Sequence, residues 1–312
     1  MQSVKTKNFI KKTIKEIKNV VGKQRAVVAC SGGVDSTVCT ILAHQALGNR
    51  LLAVFINDGL MRAGEPEYVV NFLKKFRIKT KLISAQKRFF QALKGKIDPE
   101  EKRKAFRETF YQVLGEVLKR QKAKFLIQGT IKADITETTG GIKTQHNVLE
   151  QIGIDPQKYG FKIIEPLKQL YKPQVRQIAK ALGLPSIIYQ RMPFPGPGLA
   201  TRVVGEVTPE KVKIVRGATT IVEKELKKFS PFQAFAVLLS DKATGVREGK
   251  RIFGDIIVIR AVDSKNAMTA KMSKIPWVAL RKIQKKITKE IPSVTRVLYD
   301  LTPKPPATIE YI

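Results

Sequence analysis

The stretch Ala26-Val27-Val28-Ala29-Cys30-Ser31-Gly32-Gly33-Val34-Asp35-Ser36-Thr37 constrains the fold more than any other, because it reads as a buried strand, a glycine turn and a helix start in succession. An apolar run ending in small residues puts Ser31 to Ser36 at the carboxyl edge of a strand, where open α/β sheets bind their ligands. Glycines at 32 and 33 allow positive φ and the close approach of another molecule. The first amides of the helix have no intrahelical partner and face outward with the positive end of its dipole, while Ser31, Ser36 and Thr37 add hydroxyl donors. This is a site for phosphate oxygens.

Two adjacent glycines also serve tight strand-to-helix turns for purely steric reasons. Asp35 changes the balance, because a carboxylate in a loop shaped for anions makes sense when a divalent cation bridges it to the phosphates. No Lys follows the glycines as it does in the loop that grips the β and γ phosphates of nucleotide hydrolases. Ser-Gly-Gly-Val-Asp-Ser instead resembles the pyrophosphate loop of the N-type ATP pyrophosphatases, which cleave ATP between its α and β phosphates and adenylate a substrate. The loop does not select that substrate.

A chain of 312 residues that is 43% hydrophobic can bury a large core, most naturally as two domains, and is not disordered throughout. No apolar run is long enough to cross a bilayer, and the Lys-rich start lacks a signal-peptide core. Phe9, Ile10, Ile14, Ile17, Val20 and Val21 predict an amphipathic helix leading into the first strand. Cys30 and Cys39 have no metal-ligand spacing and read as small buried apolar residues in a reducing cytoplasm. His44 and His146 are the only histidines, which excludes a His-rich metal site. Lys+Arg 58 against Asp+Glu 26 gives a net charge of +32, compatible with an RNA partner, an anionic substrate or a Lys-rich proteome. The lysines are scattered over helix surfaces and not gathered with aromatics, so a nucleic-acid partner is not expected.

Further strands are predicted at Leu51 to Ile56, Lys79 to Ser84, Phe125 to Gln128 and Lys162 to Glu165, with helices at Glu67 to Phe76, from Asp98-Pro99-Glu100-Glu101 to about Arg120, and at Lys172 to Leu182. This alternation predicts an α/β fold with a doubly wound, parallel five-stranded sheet. Asp58, in the polar break after the second strand, is expected to cap the next helix rather than hold a ribose. The polar segment from Gly129 fits neither period and reads as a lid, over residues 129–160. Pro193-Phe194-Pro195-Gly196-Pro197-Gly198 reads as a stiff linker, placing a boundary between domains at 1–190 and 191–312. The second domain is expected to be α+β, with strands at Arg202 to Val207, Ala234 to Leu239, Ile256 to Val262 and Thr295 to Tyr299. Its helices are expected at Pro209 to Lys228, capped by Thr208, and at Pro276 to Ile291. The end, Lys304-Pro305-Pro306-Ala307-Thr308-Ile309-Glu310, suits either a loose tail or an ordered hook onto an anion.

Together these stretches resemble the ATP-pyrophosphatase subunit of GMP synthetase over nearly the whole chain. The matching strings include Ser31 to Ser36, Gly59-Leu60-Met61-Arg62, Gln128-Gly129-Thr130 with Asp134 and Glu137, and Ile142-Lys143 with His146-Asn147-Val148. They continue with Glu165-Pro166-Leu167, Pro193 to Leu199, Arg202-Val203, Met268-Thr269-Ala270 and Lys304 to Glu310. The resemblance implies an adenine nucleotide alpha hydrolase-like first domain, a carboxyl-terminal dimerisation domain making a homodimer, and a ligation in which XMP, ATP and ammonia give GMP, AMP and pyrophosphate. It implies that Ser31, Gly32, Gly33, Val34, Asp35, Ser36, Gly59 and Gly129 bind ATP, with Asp35 placing Mg2+. Asp134 and Glu137 would steady metal and lid, Lys143 would offset charge at the α phosphate, and His146 and Asn147 would contact the xanthine. Arg202, Gln233, Lys304 and Thr308 would grip the XMP phosphate, with Glu310 near its purine or ribose. Some members carry a glutaminase ahead of this loop, which here begins about thirty residues in, so ammonia is expected from a separate glutaminase subunit.

The chain departs from the family pattern at Asn57, Gln145, Pro173-Gln174, Asn266 and Leu149 to Phe161. Gln145 cannot carry a proton at neutral pH, which leaves acid or base duty there to His146 or solvent. Two alternatives stand beside this reading: a tRNA-modifying member of the superfamily, suggested by the charge, and a non-catalytic nucleotide-binding homologue.

Overall fold

The computed structural model describes residues 2–132, 161–265 and 267–312. The chain divides into two units, one formed by Met1–Asp58, Gly64–Ala85 and Arg107–Arg191, the other by Gly59–Ala63, Gln86–Phe106 and Met192–Ile312. Among the described residues no helix is long and apolar enough to cross a membrane.

In the first unit, Ala26–Ala29 (β1) lies at the centre of a five-stranded sheet, where a run with no polar side chain can be covered on both faces. Its neighbours are β2 (Leu51–Asn57), β3 (Thr80–Ser84), β4 (Phe125–Ile127) and β5 (Lys162–Ile164), in the order β3-β2-β1-β4-β5. Every pair is parallel, as expected of an α/β fold. The chain steps outward from β1 to β2 and β3, then restarts on the other side of β1 with β4, so the direction of winding reverses between β1 and β4. That is where a crevice opens at the carboxyl ends of the strands.

Helix α1 (Gln2–Val21) buries Ile17 and Val21 from its apolar stripe. Helix α2 (Val34–Leu47) follows the loop after β1. Helix α3 (Glu65–Lys75) starts further from Asp58 than a capping role would need. Gly64, at φ 68°, precedes its first residue, and Asp58 is buried six positions upstream, so Asp58 does not cap it. The residues between, Gly59–Ala63, belong to the other unit. Helix α4 (Gln86–Leu93), unforeseen in the sequence, buries Phe89 and Leu93 one turn apart. Helix α5 (Pro99–Arg120) opens as the sequence predicts, with Asp98 Oδ1 accepting from the amides of Glu100 and Glu101 at 2.9 Å each.

The second unit is built on a long antiparallel hairpin, β6 (Gln233–Arg247) and β7 (Lys250–Asp263). The short β8 (Lys271–Met272) pairs antiparallel with β7, and β9 (Val294–Tyr299) pairs parallel with it. The expected strands at Ala234 to Leu239 and Ile256 to Val262 are only the buried parts of this hairpin. The ladder continues from Lys242 opposite Asp255 to Arg247 opposite Lys250, in mixed, mostly exposed sequence whose strand pairing apolar patterning does not reveal. The strand expected at Arg202 to Val207 does not form. Gly198–Arg202 is a 3-10 turn, one bridge joins Val203 to Leu238, and Gly205 at φ 81° takes the backbone off the extended path. Thr208 caps the helix Pro209–Leu226, its Oγ1 accepting from Lys211 N at 3.3 Å, and the last helix is Trp277–Glu290.

Candidate functional site

The loop between β1 and α2 is shaped by contacts on its inner side. Gly32 has φ 80°, and a Cβ there would stand 2.5 Å from Val69 Cγ2 and 3.5 Å from Glu65 Oε1, so α3 supports the loop only while residue 32 is glycine. Glu65 is buried and paired with Arg191 Nη1 at 2.7 Å. Ser36 Oγ donates to Gly33 O at 3.1 Å and accepts from Ser31 N at 3.2 Å, with Ser31 Oγ 3.1 Å away. The first helical bond of α2 runs from Thr37 N to Gly33 O at 3.0 Å, and Gly33 supplies no side-chain cap. The amides of the first turn are therefore held in place by the loop's own hydroxyls and aimed at an incoming anion. Cys30 and Cys39 are free and buried, and burial pushes both thiols up, so neither is a thiolate nucleophile.

The strand next to β1 closes the other side. A Cβ on Gly129 would lie 2.8 Å from Ser36 N and 2.9 Å from the carbonyl carbon of Asp35, so the chain leaving β4 touches the backbone of the phosphate loop directly. On either side, Gln128 Nε2 donates to Tyr111 Oη at 3.2 Å, and Thr130 Oγ1 donates to Glu165 Oε1 at 2.6 Å. Lys172, first residue of the helix Lys172–Ala181, pairs its Nζ with Asp35 Oδ2. Asp35 Oδ1 is buried with no hydrogen-bond partner. This donor set fits a small hard cation, since Mg2+ is commonly held by one or two carboxylates with phosphate and water oxygens completing the shell.

Sequence reasoning missed Lys172, although a signal existed. A cation at the first position of a helix opposes the dipole and calls for an anionic partner, here Asp35.

In the second unit a different cluster forms around Arg202, which is fully buried. Its guanidinium lies 4.1 Å from the centroid of Phe235 and 4.9 Å from that of Phe194. Its Nε and Nη2 donate to the two oxygens of Glu310 at 3.1 and 3.0 Å, and Gln233 Nε2 donates to the same carboxylate. The tail is an ordered hook: Lys304 exchanges backbone bonds with Ala270 at 2.8 and 3.0 Å and donates from Nζ to Ala267 O at 2.9 Å. Thr308 is exposed, and its hydroxyl donates to Glu310 O.

Two family models match the chain, NAD synthase over residues 3–198 and GMP synthase C terminal domain over residues 220–311. Among curated relatives, one subunit of the glutamine-hydrolyzing GMP synthase of Pyrococcus furiosus is 54% identical over 97% of this chain and 96% of its own. The like-named subunits from Archaeoglobus fulgidus and Methanopyrus kandleri are 54% and 48% identical, over 97% and 98% of this chain and 98% of their own. This chain belongs to that family of GMP synthase subunits. Membership sets aside the tRNA-modifying alternative that the net charge raised.

Seen as a member of the GMP synthase family, the chain gathers Ser31, Gly32, Gly33, Val34, Asp35, Ser36 and Gly129 in one place, and Arg202, Gln233 and Glu310 in another, with Thr308 bonded to the Glu310 carbonyl and Lys304 bonded instead to Ala267 and Ala270. Gly59 is counted with the second unit, where its carbonyl accepts from Arg216. Asp134, Glu137, Lys143, Gln145, His146, Asn147 and Asn266 lie outside the described residues, as does most of the expected lid. Of the departures from the family pattern, Asn57 ends β2, its carbonyl accepting from Ala85 N at 2.9 Å. Pro173-Gln174 falls in the first turn of the helix after Tyr171, where proline forfeits no helical bond and Gln174 Oε1 accepts from Tyr171 N at 2.8 Å.

Proposed function

We propose that this chain is the synthetase component of a two-component GMP synthase, transferring AMP from ATP to XMP and letting ammonia replace the activated oxygen. The observation that carries this reading is the uncapped start of α2 beside Asp35, whose Oδ1 is buried and unpartnered. The xanthine 2-oxygen cannot depart as hydroxide at neutral pH. Its attack on the α-phosphorus breaks the bond to pyrophosphate and converts it into part of a good leaving group. Ammonia then adds at C2 and loses a proton, and the oxygen leaves with AMP.

The chain's own part in the first step is to hold the leaving phosphates. The amides of Val34, Asp35 and Ser36 and the Ser31 hydroxyl bind the β and γ phosphates, and Lys172 shifts from Asp35 to a phosphate oxygen as the nucleotide enters. Mg2+ held at Asp35 would supply charge neutralisation on the departing pyrophosphate. Gly59 and Gly129 are assigned to ATP, Asp134 and Glu137 steady metal and lid, Lys143 offsets charge at the α phosphate, and His146 and Asn147 contact the xanthine. Arg202, Gln233, Lys304, Thr308 and Glu310 form the XMP site, so that residues 1–190 serve ATP and residues 191–312 serve XMP.

The name borne by the relatives, one lettered subunit of a glutamine-hydrolyzing synthase, supports ammonia supply by a separate glutaminase. Exposed Val246 and Phe253 on the hairpin and Leu298 on β9 support a homodimer through the carboxyl-terminal domain. Two free buried cysteines fit a reducing cytoplasm. The test is pyrophosphate release with XMP, ATP, Mg2+ and high ammonium. Release that depends on all four is expected, and none under any of these conditions would favour the non-catalytic homologue.

A further inference from the structure

Arg260 lies within β7 in the run Ile257-Val258-Ile259-Arg260-Ala261-Val262, and it is fully buried. A guanidinium in an apolar strand is costly to desolvate unless its donors are all used. Here they are spent on one short piece of chain. Nη1 donates to Asp300 Oδ2 at 2.8 Å and to Thr302 O at 2.6 Å, Nη2 to Thr308 O at 2.8 Å, and Nε to Ile309 O at 3.3 Å. Asp300 supplies the counter-charge, and its Oδ1 accepts from Thr302 N at 2.8 Å.

These bonds do more than neutralise a buried cation. Thr302 and Thr308 bracket the Pro303–Ala307 stretch, so one planar group fixes both ends of the loop that carries Lys304. Ala307 N closes the loop onto Pro303 O at 3.0 Å, and Ile309 is buried with Val262 and Ala270. The fork geometry matters, because a lysine could satisfy the charge of Asp300 but not four acceptors spread over ten residues.

We propose that Arg260 is a positioning residue for the nucleoside monophosphate site. It fixes the path of residues 300–309, the stretch that carries Lys304 and Thr308, the two residues assigned above to a phosphate dianion. This rests on the reading above that the tail binds the XMP phosphate.

The test compares Arg260→Lys with Lys304→Ala in the full chain, measuring KM for XMP and for ATP separately at saturating ammonium, alongside the thermal midpoint. Arg260→Lys is expected to raise KM for XMP at least tenfold, with KM for ATP within twofold and kcat at saturating XMP within threefold. Lys304→Ala is expected to raise KM for XMP as well. A normal KM for XMP in folded Arg260→Lys, with a raised one in Lys304→Ala, overturns the inference alone. Normal values in both overturn the reading of the tail on which it rests. A parallel rise in both KM values marks a merely structural arginine and also overturns it. Should Arg260→Lys not fold, Asp300→Asn decides by the same criteria, with an expected rise of about threefold in KM for XMP.

Discussion

Lys172 and Asp35 are joined by an ion pair although they come from different helices of the first unit, and the pair uses only one of the two carboxylate oxygens. The other is buried without a hydrogen-bond partner. Asp35→Asn keeps the shape and removes the charge, and is expected to lower pyrophosphate release by at least about 10²-fold, with the loss not restored by excess Mg2+. Lys172→Met is expected to cost about 10²-fold in kcat. Steady-state release of pyrophosphate at varied ATP measures both.

Gly129→Ala tests the contact between the chain after β4 and the phosphate loop. The new methyl meets backbone atoms at 2.8, 2.9 and 3.0 Å, none of them the end of a flexible side chain, so one segment must move. Overpacking of this kind costs about 1–3 kcal/mol. ATP-dependent turnover is expected to fall more than tenfold while far-UV circular dichroism stays unchanged, because the displaced atoms include the Ser36 amide, which the proposed function assigns to phosphate.

Glu310→Ala removes the counter-ion from an arginine enclosed by two aromatic rings. Breaking a buried pair by deleting one partner costs about 3–5 kcal/mol, against little for an exposed pair. A clear fall in the urea midpoint is expected. The exposed pair Lys12 with Glu16 serves as the comparison, and Glu16→Ala is expected to shift it hardly at all.

Lys102 should make stability depend on alkaline pH. Burial, and secondarily the ammonium of Lys211, lower its pKa from 10.5 to about 8, and its Nζ donates to Val203 O at 3.0 Å. Between those two values the unfolded chain holds a proton that the folded one has released. Stability from this group therefore rises with pH from about 8 and levels off near 10.5. Urea unfolding at intervals from pH 7.5 to 10.5 should show the rise, and Lys102→Met should flatten that part of the profile.

The sheet and its phosphate loop are legible in the sequence because they depend on local rules: short apolar runs, a glycine turn, and caps such as Asp98 and Thr208. What escapes depends on distant pairing. The outer half of the hairpin from Lys242 to Asp255 mixes apolar with charged residues, with Val246 and Phe253 exposed, and is held by its partner strand rather than by burial of an apolar face. Asp58 is a good capping residue near a helix, but Gly64 stands closer to the helix start and takes the left-handed turn. Lys172 meets Asp35 only once the strand order is known. Arg260 is conspicuous as a charge inside an apolar run, yet its acceptors are the carbonyls of a tail some forty residues on, which composition does not reveal.

Arg202 and Glu310 are 108 positions apart, and this separation has a consequence during synthesis. At roughly 5–20 residues per second, the ribosome takes roughly 5–20 s to make the carboxylate after the guanidinium has been added. Throughout that interval the nascent polypeptide must keep the Arg202 cation hydrated, since Phe194 and Phe235 offer it no counter-charge. The pocket around Arg202 can close on its counter-ion only once Glu310 has been added, which makes that closure a late event in the folding of the second unit.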